Sequence, residues 1–262
     1  MKTLIISFVA TLLLIICSIL FFPCFGDTNV PRGLQCSEAD YSVNEDGFHT
    51  NLKTLMDSLA ANVVSHDGFY QTQVGEKANK VYGLILCRGD IAADGCTNCT
   101  LDSIKVASED CSRSKEAWIW FRWCFLRYSN SSFFGVMENT AAAITNDTDF
   151  EDPSVVSEGF SFMSGLSATA PDQIYMFQTA ILNVSQGGKR YGMAQCTRDI
   201  NRRDCERCLN AQLVNFRMTI GNKRRWEIYG SNCFMWYNDY RFYSNVSTLL
   251  SGESCDLLPN HH

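Results

Sequence analysis

Two stretches decide the fold: CRGDIAADGCTNC at residues 87–99 and CTRDINRRDCERC at residues 196–208. Each spaces its cysteines as C-x8-C-x2-C, and Cys196, Cys205 and Cys208 follow Cys87, Cys96 and Cys99 at a constant offset of 109 residues (196 minus 87). Cys233 follows Cys124 at the same offset. So do Tyr191 after Tyr82, Gly192 after Gly83, Asp199 after Asp90, Phe234 after Phe125, Tyr237 after Tyr128 and Phe242 after Phe133. Upstream the register slips slightly, with Gln178-Thr179 matching Gln71-Thr72. Four cysteines in one register make the chain a tandem duplication. The seam falls in the polar stretch 138–152, ahead of Pro153.

Outward from the cysteines, each copy reads as α+β. Within 46–64, Phe48, Leu52, Leu55, Met56 and Leu59 recur at helical spacing, with Asn44 or Asp46 as the cap. Residues 69–74 and 80–86 read as short strands, and 97–108 as a second helix opened by the Cys-x-x-Cys. The alternating, aromatic run 118–128 reads as one strand ending in a turn at 129–132. The second copy repeats this order at 154–166, 173–182, 190–195, 206–218 and 225–237. Helices on one face of an antiparallel sheet is the economical packing for such an order.

The N-terminus predicts export. Met1-Lys2 is a short basic start, 4–22 is almost wholly apolar, Pro23 ends any helix, and small residues lead to Gly26. That order predicts a secretory signal peptide over 1–26, in preference to a membrane anchor of similar length. The mature chain is then expected to be secreted, with no membrane segment after cleavage. The domains expected are 32–137 and 147–247, followed by a C-terminal tail at 248–262.

The full chain has a formal charge of −6. Residues 27–146 carry 10 basic and 15 acidic side chains, and 147–262 carry 11 and 13. Neither half is the basic platform that nucleic acid requires, so no nucleic-acid partner is expected. Lys223-Arg224-Arg225 reads as a solvated turn. Sequons at Asn98, Asn130, Asn146, Asn183 and Asn245 are N-glycosylation candidates. At Asn98 the middle residue is Cys99, which a disulfide would bury.

Eleven cysteines follow residue 26. Zinc binding, redox chemistry and structural disulfides compete for them. Zinc needs four thiolates or imidazoles, and only His49, His66, His261 and His262 are available besides cysteine. A redox Cys-x-x-Cys belongs in a thioredoxin-like βαβ setting. An oxidising compartment favours structural disulfides, and no metal or cofactor is expected. No G-x-S-x-G, H-E-x-x-H or P-loop occurs, so no catalytic residue is assigned.

The doubled C-x8-C-x2-C, each followed by Cys-Phe-x-x-Tyr, resembles the plant cysteine-rich repeat, or stress-antifungal, domain of ginkbilobin type, over about 32–247. The family has single-domain members, tandem secretory proteins and receptor ectodomains, and this chain is most similar to the secretory branch. The resemblance implies two helices on a five-stranded antiparallel sheet in each copy. It also implies the pairings Cys36–Cys111, Cys87–Cys96 and Cys99–Cys124, then Cys196–Cys205 and Cys208–Cys233. Thr145 and Ile220 stand where the second copy would need its remaining pair, so that copy lacks one staple. Cys255 is left without a partner in this scheme; the two readings of it are an intermolecular bridge, giving a covalent homodimer or a mixed disulfide, and an inert thiol against the second copy's sheet.

The resemblance further implies a mannose site made by an Asn after the first cysteine, an Arg before the last and a Glu after it. Those positions hold Ser37, Trp118 and Ser129 in the first copy, and Glu227 and Asn238 in the second. The family's mannose site is therefore absent. Trp118, Trp120, Trp123, Trp226 and Trp236 read first as core or interface packing and second as sugar platforms. The function expected is an apoplastic recognition protein in plant defence, stress or cell-surface signalling, whose partner is an unidentified protein or glycan. The alternative is a carbohydrate-binding antifungal lectin with a different site.

Overall fold

The structure, a computed structural model, describes residues 28–38, 46–146, 150–184 and 188–244. The signal segment, Asn44, Asn245, Cys255 and the tail at 248–262 lie outside the described residues.

The first copy contains β1 (Pro31–Cys36), α1 (Asp46–Asn62), β2 (Phe69–Val74), β3 (Val81–Cys87), α2 (Ala93–Asp110), β4 (Glu116–Phe121) and β5 (Cys124–Ser129). The second repeats it as β6 (Ala141–Thr145), α3 (Pro153–Thr169), β7 (Phe177–Asn183), β8 (Lys189–Cys196), α4 (Arg202–Asn215), a one-turn α5 (Arg217–Ile220), β9 (Trp226–Gly230) and β10 (Cys233–Asn238). Each copy builds a five-stranded antiparallel sheet. The orders, β1-β4-β5-β3-β2 and β6-β9-β10-β8-β7, are identical under the repeat.

The strands differ in detail from the sequence reading. The aromatic run 118–128 is a hairpin, turned at Arg122-Trp123, which sets Trp120 opposite Phe125. The turn carries no Gly, Pro or Asn, so nothing in the sequence breaks the alternation there. The second sheet also starts at Ala141, ahead of the expected boundary at 147, because Ala141–Thr145 pairs with β9.

Each sheet has two buried faces. On one, Ile85, Ile119, Leu126 and Tyr128 meet Phe48, Leu52, Leu55 and Leu59 of α1. Gly83 permits this close approach, since a Cβ there would lie 2.5 Å from Leu55, and its equivalent Gly192 sits equally close to Phe162 of α3. The alternate residues of the same strands point the other way. Leu84, Leu86, Trp118, Trp120 and Phe125 of the first copy meet Met193, Tyr229, Phe234 and Trp236 of the second. The molecule is thus four layers, helices, sheet, sheet and helices.

The C-x8-C-x2-C spacing has a geometric reason. Cys87 and Cys124 face each other across β3 and β5, while Cys96 and Cys99 sit one turn apart near the start of α2. The disulfides Cys87–Cys96 and Cys99–Cys124 therefore weld the start of the helix to two adjacent strands. Cys196–Cys205 and Cys208–Cys233 do the same for α4. The fifth bridge, Cys36–Cys111, spans 75 residues and ties β1 to the end of α2.

The second copy uses non-covalent substitutes at the equivalent place. Opposite Thr145 stands Trp226, where the first copy has Ala117 opposite Cys36. Trp226 is buried and stacks on Tyr237 at 5.5 Å. Buried Glu151 pairs with Arg190 and accepts from Tyr237 Oη at 3.0 Å. Its backbone N–H donates to the carbonyl of Asn222, just past α5. The equivalent Tyr128 donates to the carbonyl of Cys111 itself, at 3.2 Å. A tyrosine thus closes the same corner in both copies, on a disulfide in one and on a carboxylate in the other.

Candidate functional site

The joint between the copies is aromatic at its centre and polar at its rim. Phe125 and its repeat equivalent Phe234 meet at 5.5 Å, and Trp120 stacks on Phe125 while its indole N–H donates to the carbonyl of Gly230 at 2.9 Å. Around them, Gln195 donates to the carbonyl of Cys87 at 3.1 Å, and the backbone N–H of Glu138 donates to Asn232 at 2.9 Å. The buried Arg88–Asp90 pair holds the end of the second copy, with Arg88 donating to the carbonyl of Phe242 and Ser244 N–H to Asp90. Arg198 lies over Phe69 and Tyr175 and donates to the carbonyls of His66 and Asp67.

The family's sugar-site positions fall at this joint, and the two copies treat them differently. In the first copy Trp118 and Ser129 are buried, and Ser37 Oγ accepts from the backbone N–H of Glu116 at 3.2 Å. The Arg127 guanidinium covers Trp118 at 4.9 Å and Phe133 at 3.9 Å, and it pairs with Glu116 and Glu138. Aromatic and guanidinium groups pack that place. In the second copy the matching positions line a cleft of about 270 Å³, shared with Arg32, Arg122, Arg225 and Tyr240. Glu227 is buried there and meets both Arg32 and Arg122 at 3.3 Å. Tyr229 Oη donates to it at 2.8 Å. Burial first, and then the charge of Glu227, push the Tyr229 hydroxyl well above the ordinary tyrosine value, so it remains a donor. Asn238 is 2% exposed, and its Oδ1 has no hydrogen-bond partner. Arg225 pairs with Asp239 at 2.8 Å and lies over the Tyr240 ring at 5.5 Å.

Trp118, Trp120, Trp226 and Trp236 are buried in core or joint, and Trp123 is half-buried against the first core. The sequence reading missed Arg32 and Arg122 as cleft residues, since they come from the other copy. Arg225, read as part of a solvated turn, reaches the cleft although its side chain is 38% exposed. Asn98, Asn130 and Asn183 are exposed, and Asn146 is half-buried in the cleft wall. His49 is exposed on α1. Among the described residues no group of three or more His, Cys, Asp or Glu could hold a metal, and no helix is long and apolar enough to cross a membrane.

The salt stress response/antifungal family model matches twice, over residues 35–131 and 139–240. An antimicrobial ginkbilobin-2-like protein of Castanea crenata is 34% identical over 197 residues, covering 74% of this chain and 81% of that protein. Cysteine-rich repeat secretory protein 38 of Arabidopsis thaliana is 30% identical over 213 residues, covering 79% and 84%. The tandem DUF26 ectodomain of the Arabidopsis thaliana cysteine-rich receptor-like protein PDLP8 shares the fold. Its TM-score is 0.71 at 23% identity, covering 81% of this chain and 99% of that one.

Proposed function

The chain belongs to the salt stress response/antifungal family of cysteine-rich repeat proteins, and from that footing we propose that it is a secreted, apoplastic recognition protein serving plant defence, stress response or cell-surface signalling. The observation that carries this reading is the charged cleft that both copies build at their joint, a concave site on a rigid, disulfide-stapled frame. Such a site suits binding, and the reading assigns the chain no catalytic step. Its partner is a protein or glycan at the cell surface. Labelled mature protein titrated onto walled plant cells and onto protoplasts tests the role. Saturable binding to either supports it, and binding to neither defeats it.

A second reading, a carbohydrate-binding antifungal protein using a site other than the family's mannose site, is favoured by the antimicrobial relative and by Glu227 and Asn238 in the cleft. A glycan array together with a fungal growth assay separates it from protein recognition. Under either reading the exposed sequons at Asn130 and Asn183 carry glycans. Cys255 bridges two chains or a chain and its partner. A non-reducing gel checks this, since dimer that disappears in Cys255→Ser supports the bridge and monomer with one titratable thiol refutes it.

A further inference from the structure

The cleft has a chemistry that narrows its ligand. Its lining holds three guanidinium groups, from Arg32, Arg122 and Arg225, against one carboxylate, Glu227. Asp239 behind Arg225 leaves the place with a positive balance in a chain of net charge −6. Glu227 holds Arg32 and Arg122 side by side, each at 3.3 Å, so their donors are fixed before any ligand arrives. Planar guanidinium forks match the paired oxygens of a carboxylate or a phosphate. On the same lining, buried Asn238 has an Oδ1 with no hydrogen-bond partner, and a buried acceptor without a donor is costly. A sulfate or a phosphodiester brings no donor for it, whereas a sugar hydroxyl does. At the rim the Tyr240 ring is 45% exposed, a face on which a sugar ring can lie. The volume of about 270 Å³ lies just below the range of drug-sized sites, roughly 300–1,000 Å³, and suits one small ring.

We propose that this cleft binds a carboxylated pyranose, a uronic acid residue, with its carboxylate on the arginines of the first copy and a hydroxyl on Asn238 of the second. The inference rests on the glycan-binding reading above and names the ligand class within it. It also gives the duplication a purpose, because the first copy supplies Arg32 and Arg122 while the second supplies Arg225 and Asn238.

Isothermal titration of the secreted protein tests it, in a Thr148→Ala background that removes the sequon of Asn146 from the cleft wall. The probes are galacturonate and glucuronate, the parent galactose and glucose, and inorganic phosphate. Uronates are expected to bind at least tenfold more tightly than the parent hexoses, and less tightly as salt rises. Arg32→Gln and Arg225→Gln, in protein shown to be folded, should each weaken binding tenfold or more, while Arg202→Gln, on a distant exposed pair, should not. Hexoses binding as well as uronates would overturn the anionic assignment and leave glycan recognition standing. Phosphate competing as well as uronate would reduce the cleft to a bare anion site. If neutral and acidic sugars alike fail to bind here and across a glycan array, both readings fall together.

Discussion

Glu151 shows how one side chain can stand in for a covalent bond. Burial by itself would raise its carboxyl, but hydrogen bonds from Arg190 and Tyr237 outweigh that, and its pKa falls below the ordinary 4.5. A group depressed on folding stabilises fully above its unfolded value, and that contribution is lost as pH drops through the folded one. The second copy should therefore weaken below about pH 4.5 through this residue. Glu151→Gln should cost about 3 kcal/mol at pH 7, the penalty for breaking a buried pair, and should flatten the acid loss. Urea unfolding at pH 7 and pH 4 measures both effects. At the corresponding corner of the first copy, Cys36→Ser should cost about 2–5 kcal/mol with no such acid signature. An equal pH slope in Cys36→Ser and Glu151→Gln would refute the division of roles.

At the scale of elements, the sheet faces turned toward each other act as a second core. Phe125 and Phe234 are buried there by partners from the opposite copy. Truncating Phe234 to Ala should cost about 3–5 kcal/mol, comparable to a change under the helices, and denaturant titration checks it. The helices and inner strands were legible because apolar spacing and paired cysteines mark them. The first strand of each sheet, β1 and β6, was not. Pro31 and Gly33 in β1, and three successive alanines in β6, carry no alternation, and it is the neighbouring strands β4 and β9 that make them strands. The hairpin turns hid for the related reason that alternation runs straight through Arg122-Trp123. In the cleft, Glu227 and Asn238 were reachable through the family resemblance. Arg32 and Arg122 became legible only once the fold set two distant segments of the first copy against β9.

For the whole molecule, the shared aromatic layer means that the copies are not beads on a string. Thermal unfolding should show one transition, because opening either copy strips the joint face of the other. Residues 28–137 produced alone should self-associate through Trp120 and Phe125, which sedimentation would detect. Two separated melting transitions would argue that the joint is weaker than its burial implies. The unequal staples also give the molecule a mechanical direction. Under tension, Cys36–Cys111 shunts the load past the loop it closes, a sequence separation of 75, withholding about 250 Å of extended chain. Nothing covalent spans the corresponding stretch between Thr145 and Ile220 as a whole, and only the short crosslinks Cys196–Cys205 and Cys208–Cys233 interrupt it. A chain pulled by its ends should therefore yield and lengthen in its second half, with the first half transmitting force almost as a rigid link.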